Sequence, residues 1–166
     1  MRYNQPMLLE EALGPALLAR GLSLATAESC TGGLIAHRLT NVPGSSAYFL
    51  GGLVVYSNQA KEKLLGVRPE TLLAHGAVSE AVAREMARGA CRAVGAQVGV
   101  AVTGIAGPGG ATPGKPVGLT WIALCAPDDE RAERHVWPGD RAAVKAASAE
   151  AALRLVLAYL EEPKAR

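Results

Sequence analysis

The hydrophobic period of this chain switches repeatedly between helical and strand-like, and that alternation narrows its fold more than any other feature. Residues 7–20 put Leu8, Leu9, Ala12, Leu13, Ala16 and Leu17 on one helical face, which Gly21 ends. Residues 23–27 read as a short strand, and helical character returns from about Thr31 to Leu39, before the turn cluster Asn41-Val42-Pro43-Gly44. YFLGGLVVY (48–56) reads as a buried strand, followed by a short helix that Ser57 caps and Gly66 closes. Ser79 and Glu80 open a helix to about Val94 with Val82, Met86, Ala90 and Ala93 inward. QVGVAVT (97–103) is a buried strand. Residues 117–125 and 131–137 form a hairpin around Pro127-Asp128-Asp129, and a long helix runs from Asp140 to Glu162. An α/β domain is the expectation.

Composition removes several function classes. With 17 basic against 15 acidic residues the net charge is only +2, and no basic run appears, so no nucleic-acid partner is expected. No apolar stretch approaches eighteen residues, so no membrane span is expected. Acids interrupt the amino-terminal stretch MRYNQPMLLEEALG where a secretory leader should be apolar. Three cysteines outside any C-x-x-C spacing fit free thiols in a reducing, cytoplasmic compartment.

Four segments carry residue types suited to chemistry. In TAESCTGGLIAHRL a strand runs into a polar turn and then a helix, whose first N–H groups could receive a phosphate or an oxyanion. Ser29 there is either a helix cap or a nucleophile. Gly32 and Gly33 weaken a first helical turn and point to close backbone approach. Cys30 is the rival nucleophile, but no histidine is placed to pair with it, and packing is the favoured role.

In VVYSNQAKEKLLGV the question is which group could activate a serine. The three histidines and three aspartates sit in unrelated settings, so a Ser-His-Asp triad has poor raw material. A lysine depressed by burial could serve instead. Lys61 and Lys63 lie on roughly opposite faces of the short helix, so one can point inward while the other stays solvated, unless both are surface residues. The third segment, Gly104 to Gly118, holds six glycines and three prolines in fifteen residues. It matches neither a P-loop nor a dinucleotide fingerprint, and is either a connecting turn or a ligand loop. In the fourth, Asp140 caps the last helix and Arg141 sits in its first turn, where a cation is unfavourable without an anionic partner. The scattered histidines and acids suggest no metal site.

Together TAESCTGGLIAHRLTNVPGSS, YFLGGLVVYSNQAKEKLLGV, AVTGIAGPGG with KPVGLTWIAL, and GDR resemble the CinA carboxy-terminal-domain family, from residue 26 to 141 in the family's order. Characterised members of that family are nicotinamide-nucleotide amidases. The resemblance implies a single three-layer α/β/α domain with a mixed central sheet over residues 1–166. It also implies that the amino-terminal molybdopterin-binding-like domain of many members is lacking here. The implied reaction is deamidation of nicotinamide mononucleotide to nicotinate mononucleotide and ammonia, a step of pyridine-nucleotide salvage. The resemblance assigns Ser29 as nucleophile, Lys61 as base and Tyr56 as a helper between them. Glu28, Cys30 and Thr31 to Gly33 would form the helix-terminus pocket, with Asn58 nearby and Thr103, Gly104, Ala106 and Gly107 on the active-site loop. Arg141 would bind substrate. No cofactor or metal is implied, and the family's homodimers set the expectation for assembly. Hydrolysis of another small amide and a non-catalytic nucleotide sensor are the alternatives. A competence or DNA-damage role is suggested only by the family's historical name, and the near-neutral charge argues against direct DNA contact.

Overall fold

Small residues on one side of the central strands and large ones on the other set the shape of the molecule. A computed structural model describes residues 7–163, so the opening MRYNQP lies outside the described residues. Strand β1 (Leu24–Glu28) is buried along its whole length and lies second in a five-stranded sheet of order β2-β1-β3-β4-β5. It pairs in parallel with β2 (Phe49–Val54) and β3 (Val98–Gly104). Strand β4 (Leu119–Ala126) runs antiparallel to β3, and β5 (Asp129–Val136) closes the hairpin at Ala126 and Asp129. The sheet is therefore mixed, as the combination of helix crossovers and a terminal hairpin requires.

Leu24, Val98, Val100, Val102, Ile122 and Leu124 face one helical layer. It comprises α1 (Leu9–Ala19), α2 (Leu34–Thr40) and α6 (Arg141–Glu161). The opposite face offers Ala25, Ala27, Ala101 and Ala123, with Gly99 among them, to a layer led by α5 (Glu80–Val94). A Cβ at Gly99 would stand 2.3 Å from Ala87 O, so only glycine lets α5 approach this closely. Helices α3 (Asn58–Leu65) and α4 (Pro69–His75) complete that layer. The three-layer α/β/α arrangement is the one expected.

Local signals located most elements. Ser57 accepts from Ala60 N–H at α3, Ser79 from Val82 N–H at α5 and Asp140 from Ala143 N–H at α6, as their cap positions suggested. Helix α2 starts three residues later than expected, at Leu34. Gly32 and Gly33 have φ of +61° and +100°, a left-handed turn that a right-handed helix cannot contain. Ala93 is exposed, two residues before the left-handed cap Gly95, and Leu8 is exposed just ahead of α1. Helix α4 has no counterpart in the periodicity reading. Its seven residues are started by Pro69 and ended by Gly76, too short for a repeating apolar face.

Candidate active site

The chain crosses from β1 to β2 on one side and returns to β3 on the other, so the carboxyl ends of β1 and β3 diverge into a crevice. Open α/β sheets bind ligands at such switch points. Ser29 follows β1 directly, and its N–H donates to Val102 O at 3.0 Å, tying the turn to the end of β3. Val55 and Tyr56 leave β2, and α3 then turns back so that Lys61 enters the crevice while Lys63 stays exposed.

Lys61 is among the largest fully buried side chains, with 1% of its surface exposed. Its Nζ lies 3.1 Å from Ser29 Oγ, 3.0 Å from Val55 O and 3.5 Å from Tyr56 O. No carboxylate pairs with it among the described residues. Burial disfavours the ammonium form and pulls the Lys61 pKa below the ordinary lysine value, against a smaller upward pull from the Cys30 thiol. Ser29 is itself buried, so both members of the pair sit beneath the surface of the cleft. Burial pushes the Cys30 thiol up to about 11, which keeps it protonated and unreactive at neutral pH.

The cleft above this pair has a volume of about 270 Å³. Ser29, Cys30, Tyr56, Asn58 and Lys61 line one side; Thr103, Gly104, Ala106, Gly107 and Arg141 line the other. Arg141 bridges the mouth, donating from Nη1 to Gly107 O and from Nη2 to Tyr56 Oη, each at 2.8 Å. The Thr103 hydroxyl donates to Ala77 O at 2.8 Å and fixes the segment before α5 against the cleft. Among the described residues, the backbone N–H groups of Cys30 and Ala106 have no acceptor in the protein. Among the described residues no acidic side chain lines the cleft. A larger groove of about 440 Å³ between β5 and α6 has no serine, cysteine or lysine among its described lining residues, and its His135 is paired with Glu133 at 2.9 Å.

Several expected positions are corrected by this geometry. Glu28 does not face the cleft: its carboxylate accepts from Ile35 N–H at 2.9 Å and Ala36 N–H at 3.0 Å. The donors expected to form an anion pocket at the start of α2 are thus taken by a side chain of the protein, which complements the helix dipole. Thr31, Gly32 and Gly33 do not line the cleft either. Tyr56 does not stand between Ser29 and Lys61 through its ring. Its hydroxyl reaches Arg141, and only its carbonyl touches Lys61. Ala77, Val78, Ile105, Gly109 and Gly110 join the lining unannounced. The two glycines fall in the biased loop, but the apolar Ala77-Val78 pair carries no chemical signature at all.

Comparison with known proteins agrees with this architecture. The family model described as "CinA C-terminal domain" matches residues 7–160. The chain is similar to a CinA-like protein of Chlorobaculum tepidum, 56% identical over 159 residues, covering 93% of this chain and 38% of that protein. A CinA-like protein of Chloroherpeton thalassium is 55% identical over 154 residues, covering 90% and 37% respectively. The chain thus spans little more than a third of the length of these curated relatives. Among solved structures, a competence/damage inducible protein of Agrobacterium tumefaciens superposes with a TM-score of 0.89 at 42% identity, covering 93% of this chain and 94% of that one. A CinA superfamily protein of Klebsiella pneumoniae gives 0.88 at 39%, covering 92% and 95%. With a family match over nearly its whole length and relatives above half identity, the chain belongs to the CinA C-terminal domain family.

Proposed function

We propose that this chain is a metal-independent amidohydrolase that deamidates nicotinamide mononucleotide through a Ser29 nucleophile and a Lys61 base. The observation that carries the reading is the buried Lys61 amine, 3.1 Å from Ser29 Oγ and without a carboxylate to hold it charged. A serine hydroxyl is hardly ionised at neutral pH and needs such a base, and arginine could not take the part. The Arg141 guanidinium and the absence of acids in the cleft favour an anionic substrate.

The steps follow from the groups present. Neutral Lys61 takes the Ser29 proton as Oγ attacks the carboxamide carbon. The N–H groups of Cys30 and Ala106 are available to the tetrahedral oxyanion, and losing one such donor typically raises a barrier by about 3 kcal/mol. Protonated Lys61 then passes its proton to the departing nitrogen, releasing ammonia. Water, activated by the same amine, cleaves the nicotinoyl ester on Ser29, and nicotinate mononucleotide leaves.

The test is ammonia release from nicotinamide mononucleotide in EDTA, with Ser29→Ala and Lys61→Ala alongside. Turnover by the unaltered chain, lost in both folded variants, is the expected result. Binding of the nucleotide without ammonia would replace the reading with a sensor, and activity in Ser29→Ala would remove the nucleophile assignment.

A further inference from the structure

The loop of residues 105–118 builds much of the cleft, and a lysine near its far end ties it to another wall of the same cleft. Ile105, Ala106, Gly107, Gly109 and Gly110 all line the cavity. The base of the loop is fixed by Ile105 N–H donating to Leu119 O and Gly118 N–H donating to Ile105 O, each at 2.8 Å. Arg141 then holds Gly107 O. Beyond Gly107 the chain is exposed from Pro108 to Gly114. It reverses at Pro113-Gly114, where Thr112 and Lys115 exchange backbone hydrogen bonds of 3.0 and 2.9 Å. A Pro-Gly pair with Gly114 at φ +79° suits a tight reversal of this kind.

Lys115 supplies the attachment that this reversal lacks. Its Nζ donates to His75 O at 2.6 Å, one of the terminal carbonyls of α4 that no helical N–H can reach. Among the described residues this is the one hydrogen bond from residues 108–115 to a residue outside the loop. A Cβ on Gly76 would stand 2.9 Å from Lys115 Nζ, so the glycine that ends α4 also leaves room for the ammonium. The chain then passes directly into Ala77 and Val78 of the cleft wall, where the Thr103 hydroxyl holds Ala77 O at 2.8 Å. The exposed half of the loop is thereby fastened to a wall that β3 keeps in place. Lys115 itself does not line the cleft.

We infer that Lys115 is a positioning residue for the Ser29–Lys61 cleft: latched on His75 O, it holds residues 108–114 as a lid, and releasing the latch opens the site. The kinetic part of this inference rests on the amidase reading, and the structural part does not. Ile105 and Gly107 keep their own ties when the latch is broken, so the Ala106 N–H stays in place and only the ordered rim is lost. Substrate then meets the closed lid in a fraction of the molecules. That raises the apparent KM by the inverse of the fraction and leaves the bond-breaking step alone. One charge-assisted hydrogen bond at the surface shifts such an equilibrium by roughly threefold to tenfold.

Two measurements on the full chain test it. In the first, nitrogen-15 relaxation gives backbone order parameters for Gly109, Gly110 and Gly114 in the unaltered protein, Lys115→Met, Lys115→Arg and Lys63→Met. The Met variant keeps the stem and removes the donor, and Lys63 is exposed on α3, so its removal controls for net charge. The three glycines should lie close to the rigid value of about 0.85 in the unaltered protein and in Lys63→Met, fall below about 0.6 in Lys115→Met, and recover in Lys115→Arg. Glycines that are already mobile in the unaltered protein, or equally rigid in Lys115→Met, would overturn the latch. In the second, ammonia release from nicotinamide mononucleotide is followed in the same proteins. Lys115→Met should raise KM about threefold or more with kcat within about twofold, and Lys115→Arg should restore KM. An unchanged KM, or a loss confined to kcat, would overturn the positioning role. The relaxation measurement needs no turnover, so glycines that loosen in Lys115→Met of a chain that releases no ammonia would support the latch and refute the amidase reading alone.

Discussion

Among the described residues Lys61 Nζ has three oxygen neighbours within hydrogen-bonding reach, and of these Ser29 Oγ alone can donate a proton to it. Val55 O and Tyr56 O are carbonyls and can only accept. A neutral amine has two N–H groups and one lone pair, which matches two carbonyls and one hydroxyl donor. The cage therefore accommodates the deprotonated lysine that a serine nucleophile requires.

The pH dependence follows with a definite sign. Only neutral Lys61 accepts the Ser29 proton, so kcat/KM should rise with pH and level off above the free-enzyme pKa of Lys61. Burial places that value below the ordinary lysine value of about 10.4. Lys61→Arg should show no ascending limb because its turnover is lost. A flat rate profile across the alkaline range would contradict the base assignment.

The same shift is a statement about stability. A lysine whose folded pKa is lowered binds fewer protons folded than unfolded in the window between the two values. Relative to Lys61→Met, the unaltered protein should therefore gain stability as pH rises from the lowered folded pKa towards about 10.4. Urea unfolding of both proteins at several pH values reads the difference, and a gap that is constant or widens the other way would show that Lys61 is not depressed.

Cys30 sits beside the nucleophile but its thiol is held protonated by burial. Cys30→Ala keeps the backbone N–H and should retain turnover within about an order of magnitude, while Ser29→Ala loses it. Inactivation of the unaltered chain by iodoacetamide should be slow at pH 7. Rapid, stoichiometric labelling with loss of ammonia release would restore the thiol as the nucleophile.

Glu28 and Gly89 test how the scaffold holds the site. Replacing Glu28 by Gln puts an amide NH2 against one of the two helix N–H groups, Ile35 buried and Ala36 half-buried, leaving that donor unpaired at a cost of about 1–3 kcal/mol. A Cβ at Gly89 would stand 2.2 Å from Leu65 O and 2.7 Å from Leu65 Cβ, so Gly89→Ala must push α3 off α5. A loss of about 1–3 kcal/mol is expected. Leu65 lies one turn beyond Lys61 on α3, so kcat should fall as well. Thermal unfolding and single-turnover rates measured together would show whether the two effects travel together.

The amino-acid sequence by itself determined what depends on neighbours a few residues away. Ser57, Ser79 and Asp140 cap helices because their side chains reach N–H groups three residues on, and Gly66 and Gly95 end them because left-handed backbone costs glycine little. The α/β class is equally local, since it follows from the period of each segment. The resemblance singled out Lys61, but the local pattern left Lys61 and Lys63 equal, and only tertiary structure set the Lys61 amine against a serine 32 positions away, turned Glu28 to α2 instead of the cleft, and made Ala77 and Val78 a wall. Those outcomes depend on strand order and on how closely α5 can settle on Gly99 and Ala101. Contacts between residues far apart in the chain exist only once the sheet has brought them together, so no local pattern encodes them.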